Sequence, residues 1–393
     1  MARLNREASQ RTLNMTFSMD TTVELDVSAS IAGWHAGAPR SRWERSVRTI
    51  TDARELDELA PAWNALVGRN GGPVQRAEWT QSCIATLLPP GSKGLRLVCV
   101  RREGELVALA PLVLRHLWGW PWLEQVGLAE IPEPQDLLYA DDAALKVLLR
   151  ELLRQPEPFV LERLPEQSRI PALVQRIVGR RAWVRVCRQG SYPSLTLDRD
   201  PDMIINAGRR SDLRRALRRA EKRGAVRFEV LAPGPGTVDD LYATVMRVEA
   251  ASWKGQQGTA LRFDAKLRAF FHEYARRAAA AGILRIALMY VGTDVAAAQY
   301  SVQCGQAWWL FKIGYDADYA DCSPGQLLMQ HTLRHARAAG LQRYELQGVA
   351  EDWTRMWACT EHASTAVRVH RWWPAALAAA GTHILQRLSR RWF

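Results

Sequence analysis

The sequence has no apolar run approaching the ~18–20 residues that a membrane-spanning helix requires. Its first twenty residues are broken by Arg3, Arg6, Glu7, Arg11 and Asp20, so no secretory leader is expected. Its six cysteines, Cys83, Cys99, Cys187, Cys304, Cys322 and Cys359, stand singly with no Cys-x-x-Cys pair. That pattern argues against a disulfide framework and a zinc site, and for reduced thiols in the cytoplasm. Histidine is sparse at eight copies; His331 and His335 share a helical spacing, but no third ligand follows, so no metal is expected. Acids are the scarcer charge, with 41 Asp+Glu against 53 Lys+Arg and a net charge of +12. The excess favours anionic partners, among them phosphates, nucleic acid and acidic lipid, without choosing between them. What is plentiful is apolar surface, 48% of residues including 16 Trp, which excludes disorder over most of the chain.

Residues 1–45 carry six Arg, five acids and little periodicity, and are read as a disordered N-terminal extension. From Val47 the chain alternates helical and strand-like segments. Glu55–Val67 and Arg76–Leu88 read as helices, and Leu95–Arg102 with Leu106–Leu114 as a hairpin turning at Glu103-Gly104. Trp183–Cys187 reads as the last strand of this half. The second half repeats the order, with a hairpin of Leu284–Val291 and Val295–Val302 turning at Gly292-Thr293. Gly94 and Gly282 are 188 residues apart, and so are the turn glycines Gly104 and Gly292. A shift this long implies duplicated domains, here 46–200 and 201–370, rather than solenoid units. Residues 371–393 bring Trp372, Trp373 and Trp392 together with four Arg and no acid. They read as an amphipathic basic helix docked on its own domain, with a peripheral contact at the inner face of a membrane as the alternative.

One turn carries a chemical signal. A strand, Trp308–Ile313, runs into Asp321-Cys322-Ser323-Pro324-Gly325-Gln326, which opens a helix at Gly325–Ala339. Helix N-termini present unpaired amides and a partial positive charge, so such a turn suits a pyrophosphate. Ser323 is the expected N-cap, Pro324 the first helical residue, and Gly325 a point of close backbone approach. In the first half the matching stretch, VGLAEIPEPQDLL (126–138), holds acids and prolines instead, which disfavour an anion.

Four stretches in order, RRSDLRRALRRAEKRG (209–224), EAASWKGQQGTA (249–260), IGYDADYADCSPGQLL (313–328) and ELQGVAEDWTRMW (345–357), carry a family resemblance. The chain resembles the FemAB-like branch of the GCN5-related N-acetyltransferase (GNAT) superfamily, which includes the acetyltransferase domain of CelD-type cellulose-biosynthesis proteins. The resemblance implies an α/β (α+β) tandem GNAT fold, two GNAT-like halves with twisted, mostly antiparallel sheets flanked by helices, the first degenerate. It implies an N-acyltransferase moving an acyl group from acyl-CoA, without a metal, to an amino group of a small-molecule, amino-sugar or envelope-polysaccharide acceptor. A non-catalytic GNAT-fold scaffold, and a transferase using aminoacyl-tRNA, are the alternatives.

Carried over by residue, Ser323, Pro324, Gly325, Gln326 and Leu327 match the family's cofactor loop, and Glu249, Trp253 and Lys254 its Glu-x-x-x-Trp-Lys signature. Tyr315 and Asp316 match its Tyr-Asp pair, and Gly348 the glycine closing the next strand. Where the family has a lysine beyond that glycine, this chain reads Trp353-Thr354-Arg355, and Arg355 is the replacement cation. Glu249, Tyr315 and Asp316 are thus the expected catalytic residues, and Trp253, Lys254, Gly348 and Arg355 the expected substrate contacts. Chemically, Glu249 among Val245, Val248, Ala250 and Trp253 suits a general base of raised pKa, and Tyr315 an acid for the leaving thiolate.

The run Arg209–Arg223 holds eight cations and two acids, half of the chain's net excess. On a helix, Arg210, Arg214, Arg218 and Lys222 share one stripe, and Arg215, Arg219 and Arg223 the neighbouring one. Three partners fit: a CoA phosphate, a lipid surface, or tRNA. The last is disfavoured by the absence of any long helical hairpin, and DNA is not expected. A solvated face is the plain alternative.

Overall fold

The computed structural model describes residues 42–68, 71–88, 93–117, 120–179, 182–252, 264–357 and 359–370. Trp43–Ile50 forms an edge strand, β1, so ordered structure starts inside the segment read as the extension. Helices α1 (Ala60–Val67) and α2 (Ala77–Thr86) follow, then the hairpin β2 (Leu95–Arg102) and β3 (Glu105–Leu117), with β4 (Trp120–Gln125) beside it. The hairpin turns through Glu103 and Gly104, both at positive φ (53° and 86°), a conformation that favours glycine. A two-residue strand β5 (Leu138–Tyr139), α3 (Asp142–Leu152), β6 (Phe159–Pro165), α4 (Ile170–Val178) and the long β7 (Trp183–Thr196) complete the first repeat.

The second repeat opens with a short helix α5 (Pro201–Ile204) and the basic helix α6 (Ala207–Arg223). It continues through β8 (Val226–Leu231), α7 (Val238–Ala250), α8 (Ala265–Ala280), β9 (Leu284–Val291), β10 (Asp294–Cys304) and β11 (Ala307–Tyr315). It ends with α9 (Pro324–Ala338), β12 (Arg343–Glu345), α10 (Asp352–Arg355) and β13 (Thr360–His370).

All of these strands join one sheet, in the order β1-β2-β3-β4-β6-β13-β7-β12-β11-β10-β9-β8, with β5 beside β3. Exchanging each strand of one repeat for its counterpart in the other (β1 for β8, β2 for β9, β3 for β10, β4 for β11, β6 for β12, β7 for β13) returns the same order read backwards. The two parallel pairs, β4 with β6 and β11 with β12, are counterparts as well. At the centre the repeats trade strands. β13 lies between β6 and β7, and β7 also pairs with β12. The 200/201 boundary therefore divides the repeats in sequence but not in space, because residues 360–370 belong to the sheet of the first half.

Strand alternation sorts the side chains into two faces. Leu284, Ile286 and Leu288 of β9 face α7, α8 and α2, while Ala287, Met289 and Val291 face α6 and α9. On the first face Trp79 of α2 packs edge-on against Phe270 and Tyr274 of α8, with ring centroids 4.7 and 5.0 Å apart, so the helices of the two repeats share one core. Under the first repeat, α3 and α4 close the other face around Leu145, Leu148, Leu161 and Leu173. Residues 371–393 and nearly all of 1–45, the terminal segments of the sequence reading, lie outside the described residues.

Candidate functional site

β11 and β12 run parallel only from Ala307–Trp309 against Arg343–Glu345, and then part. Leu346 turns away to bond the Pro193 carbonyl at 3.2 Å, which leaves the far half of β11 without a neighbour on that side. A bulge against β10, where Tyr300 opposes Lys312 and Ser301 opposes Leu310, leaves Phe311 out of register. Beyond it Ile313 and Tyr315 pack with α6 and α9 on one face of the sheet. On the other, Gly314 lies against the α7 backbone at Glu249, and the Lys312 ammonium sits 4.7 Å from the Phe271 ring. Among the described residues, the end of β11 is thus unpaired along one edge, with α6 and α9 on one face and α7 on the other.

On the α6/α9 face lies a cavity of about 600 Å3. Its walls are Arg209, Asp212, Leu213, Arg215, Ala216 and Arg219 of α6, Ser323 and Gln326 at the start of α9, and Trp353 with Met356. The 3-10 turn Ala317–Cys322 that delivers the chain to α9 is pinned by α6. Arg219 donates to the Asp321 carbonyl (2.7 Å), and Arg223 to the Asp318 carbonyl (2.6 Å) and the Asp321 carboxylate (3.0 Å). The Arg223 guanidinium also lies 4.2 Å from the centre of the Tyr319 ring. Arg210 is spent on the carbonyls of Asp202 and Ile205. Arg209 and Arg215 line the cavity, Arg215 paired with Asp212 on its own helix, whereas Arg214, Arg218 and Lys222 do not line it.

Ser323 occupies the N-cap position of α9 in the left-handed region (φ 48°), and its hydroxyl caps nothing. Its carbonyl accepts from the amides of Gln326 (3.0 Å) and Leu327 (3.2 Å). Pro324 has no amide hydrogen, and Gly325 stands too early in the helix for an intrahelical partner, so its N–H is one of the orphan donors of the N-terminus. A Cβ built on Gly325 meets only Tyr315 Cδ1 at 3.5 Å and Ile313 Cδ1 at 4.0 Å, so the protein's own packing does not demand glycine there. Gln326 Oε1 accepts from the buried Trp357 indole at 2.9 Å, which leaves its amide nitrogen to donate at the cavity wall. Leu327 differs from the expectation. It is 3% exposed inside the core, and its amide is already bonded, so it offers nothing to a ligand.

Of the expected catalytic residues, Tyr315 is half-buried with its ring against Gly325. Glu249 is 3% exposed in the last turn of α7, its backbone resting on Gly314. Tyr242, two turns earlier, donates to the Arg268 carbonyl at 2.8 Å, and its hydroxyl is pushed well above its ordinary pKa by burial and by the Glu249 charge. Asp316 has another occupation: its carboxylate accepts from the Asp318 amide at 3.0 Å and caps the 3-10 turn. Trp253 and Lys254 lie outside the described residues.

Gly348, at φ 58°, is held from the other repeat. Its amide donates to Glu133 Oε2 (2.7 Å) and its carbonyl accepts from Arg163 (2.6 Å). Sequence reasoning missed both partners. Glu133 stands in the acid- and proline-containing stretch judged unfit for an anion, and nothing local marks it as reaching a residue 215 positions away. The matching helix of the first repeat, α3, has its N-terminus filled by its own acid: Asp141 accepts from the Ala144 amide at 2.8 Å and pairs with Arg102.

Arg355 is exposed, with Nε 3.7 Å from the Glu361 carboxylate. Thr354 is 2% exposed, and its hydroxyl donates to the Glu351 carbonyl (2.7 Å) and accepts from the Glu351 amide (3.1 Å). Thr354→Lys would bury an ammonium where a hydroxyl caps a helix. We expect it to cost about 3 kcal/mol of stability in urea denaturation, as an uncompensated buried charge does, and not to restore a lysine function. Among the described residues no group of three His, Cys, Asp or Glu is placed to hold a metal, and no helix is long and apolar enough to cross a membrane.

Residues 207–355 match the acetyltransferase (GNAT) domain family. No curated protein matches the sequence. Among solved structures, the chain is similar to the crystal structure of FemX, with a TM-score of 0.54 and 12% identity over 81% of this chain and 96% of that one. It is also similar to the C-terminal domain of a putative lysylphosphatidylglycerol synthetase from Agrobacterium fabrum, with a TM-score of 0.51 and 12% identity over 84% and 96%. A third is L-PGS from Bacillus licheniformis, with a TM-score of 0.52 and 11% identity over 84% and 96%. At such identities the likeness is one of fold, a mixed α/β architecture as expected from the sequence, and the GNAT domain match itself lies in the second repeat.

Proposed function

We propose that the chain is an acyl-CoA-dependent N-acyltransferase of FemAB-like type, with its donor site in the second repeat. The observation that carries this reading is the cavity in which Arg209, Arg215 and Arg219 face the uncapped start of α9. Orphan amides and guanidinium groups converging on one space suit a nucleotide pyrophosphate. From there the pantetheine thiol end would follow Gly325 and Tyr315 to the opening beside β11. The acceptor amine would approach on the opposite face, where Glu249 and Lys312 stand. Much of the rate would come from holding amine and thioester together, and a general base would add about 10²–10⁴-fold. The acceptor class we favour is an amino group of a small molecule, an amino sugar or an envelope polysaccharide.

Calorimetry with CoA and acetyl-CoA tests the donor half of this reading. One-to-one binding is expected, and Gly325→Asp should weaken it while Gly325→Ala should not, because a Cβ fits there and a carboxylate repels phosphate. If the wild-type protein binds neither ligand, the acyl-CoA reading fails, and a non-catalytic scaffold or a transferase using aminoacyl-tRNA takes its place. Glu249→Gln should leave CoA affinity intact and lower turnover by about tenfold or more.

A further inference from the structure

The second repeat's opening is completed by the first. Where β11 and β12 part, the chain turns through Gln347 and Gly348, both at positive φ (57° and 58°). The peptide groups of Gly348 are gripped by Glu133 and Arg163. Arg163, itself left-handed at φ 54° and 7% exposed, also donates to the carbonyl of Pro132 at 3.0 Å, which fixes the backbone immediately before Glu133. Only one Glu133 oxygen is used by Gly348; the other accepts no hydrogen bond from any described residue. Gln347 is 4% exposed, and its Nε2 meets no acceptor among the described residues, a buried donor at the same turn.

We propose that Glu133 is a catalytic residue of the transfer, receiving the proton of the acceptor ammonium at the opening between β11 and β12, which leaves Glu249 to hold the amine rather than to deprotonate it. Burial holds its carboxyl above the usual carboxylate range, while the Gly348 amide, Lys312 and Arg163 oppose that rise. A carboxylate so placed takes a proton more readily than an exposed one. The step balances. The ammonium gives one proton to Glu133, and the free amine then attacks the thioester carbon. The second N–H proton passes to the departing sulfur as the C–S bond breaks, giving amide and CoA thiol. Glu133 returns its proton to water. The first repeat, whose own helix N-terminus is filled by Asp141, is in this view a supplier of a reacting group.

This inference rests on the acyltransferase reading, and the experiment separates the two. Acetyl-CoA turnover is followed by thiol release with glucosamine, lysine and spermidine as probes, beside CoA calorimetry. Glu133→Gln keeps an oxygen for the Gly348 amide, so CoA affinity should change by less than about twofold, while kcat should fall about 100-fold or more and the acidic limb of the kcat/KM–pH profile should move up to the titration of the acceptor amine itself. Should Glu133→Gln fail to fold, Glu133→Asp carries the test, with kcat lowered and the acidic limb retained but displaced. Turnover near the wild-type value in the folded variant, an unaltered acidic limb, or no Glu133-dependent turnover with any of the three amines overturns the proposal. Loss of CoA binding by the wild-type protein would instead overturn the reading beneath it.

Discussion

Reversing the charge at Arg209 and Arg215 together is expected to weaken CoA binding by about tenfold, because two charge-assisted contacts at exposed positions are worth about 1.4 kcal/mol in sum. The same double reversal at Arg214 and Arg218 is expected to leave affinity within about twofold, since those side chains do not reach the cavity and their field is screened over a Debye length. The comparison is clean because neither pair carries the fold. Arg215 bonds only to Asp212 and Ser211 on its own helix, in contrast to Arg219 and Arg223, which hold the turn before α9. Arg209 is the third residue after the Asn206 N-cap, a position where glutamate is welcome beside the helix's positive end. Calorimetry at two salt concentrations reads the result: wild-type affinity should fall with salt, and the R209E/R215E variant should be nearly indifferent to it. Equal losses from both pairs would mean that α6 acts as a diffuse field, and the cavity would lose its claim to the nucleotide.

That contrast also marks where the sequence ceased to be legible. Both stripes of α6 are cationic, and arginine spacing alone cannot distinguish them. What separates them is Leu213, Ala216 and Ala220 on the buried side, which turn Arg215 and Arg219 toward α9. Local pattern was enough for some elements themselves: β2 and β9 begin and end where alternation puts them. The extended pattern at Trp183–Cys187 covers only the start of β7, whose pairing with β13 and β12 carries it to Thr196. Strand exchange at the centre is a long-range choice between partners, and no window of a dozen residues contains it. Glu133 escaped for the same reason. Its chemistry depends on a glycine in the other repeat, while its neighbours Ile131, Pro132 and Pro134 describe only an irregular connection.

Gly314 is expected to be the least replaceable residue of the site. A Cβ on it would lie 2.8 Å from Glu249 Cα and 3.2 Å from Glu249 Cβ and N, backbone that no side-chain rotation can move aside. Gly314→Val must push the end of α7 off β11, and with it the bond from the Ala317 amide to the Ala251 carbonyl. Overpacking of this kind costs about 1–3 kcal/mol, and contact with helix backbone puts this case at about 3. The loss should appear as a lower urea midpoint with an unchanged slope. Turnover should fall further than stability accounts for, measured where the variant is still folded, because Glu249 moves with the helix it stands on. Gly325→Ala is the internal comparison. Eleven residues along the chain, its Cβ meets nothing closer than 3.5 Å, so its stability should stay within about 0.5 kcal/mol of wild type. Should Gly314→Val prove as stable as Gly325→Ala, α7 does not rest on β11 at this point, and Glu249 has no fixed place at the opening.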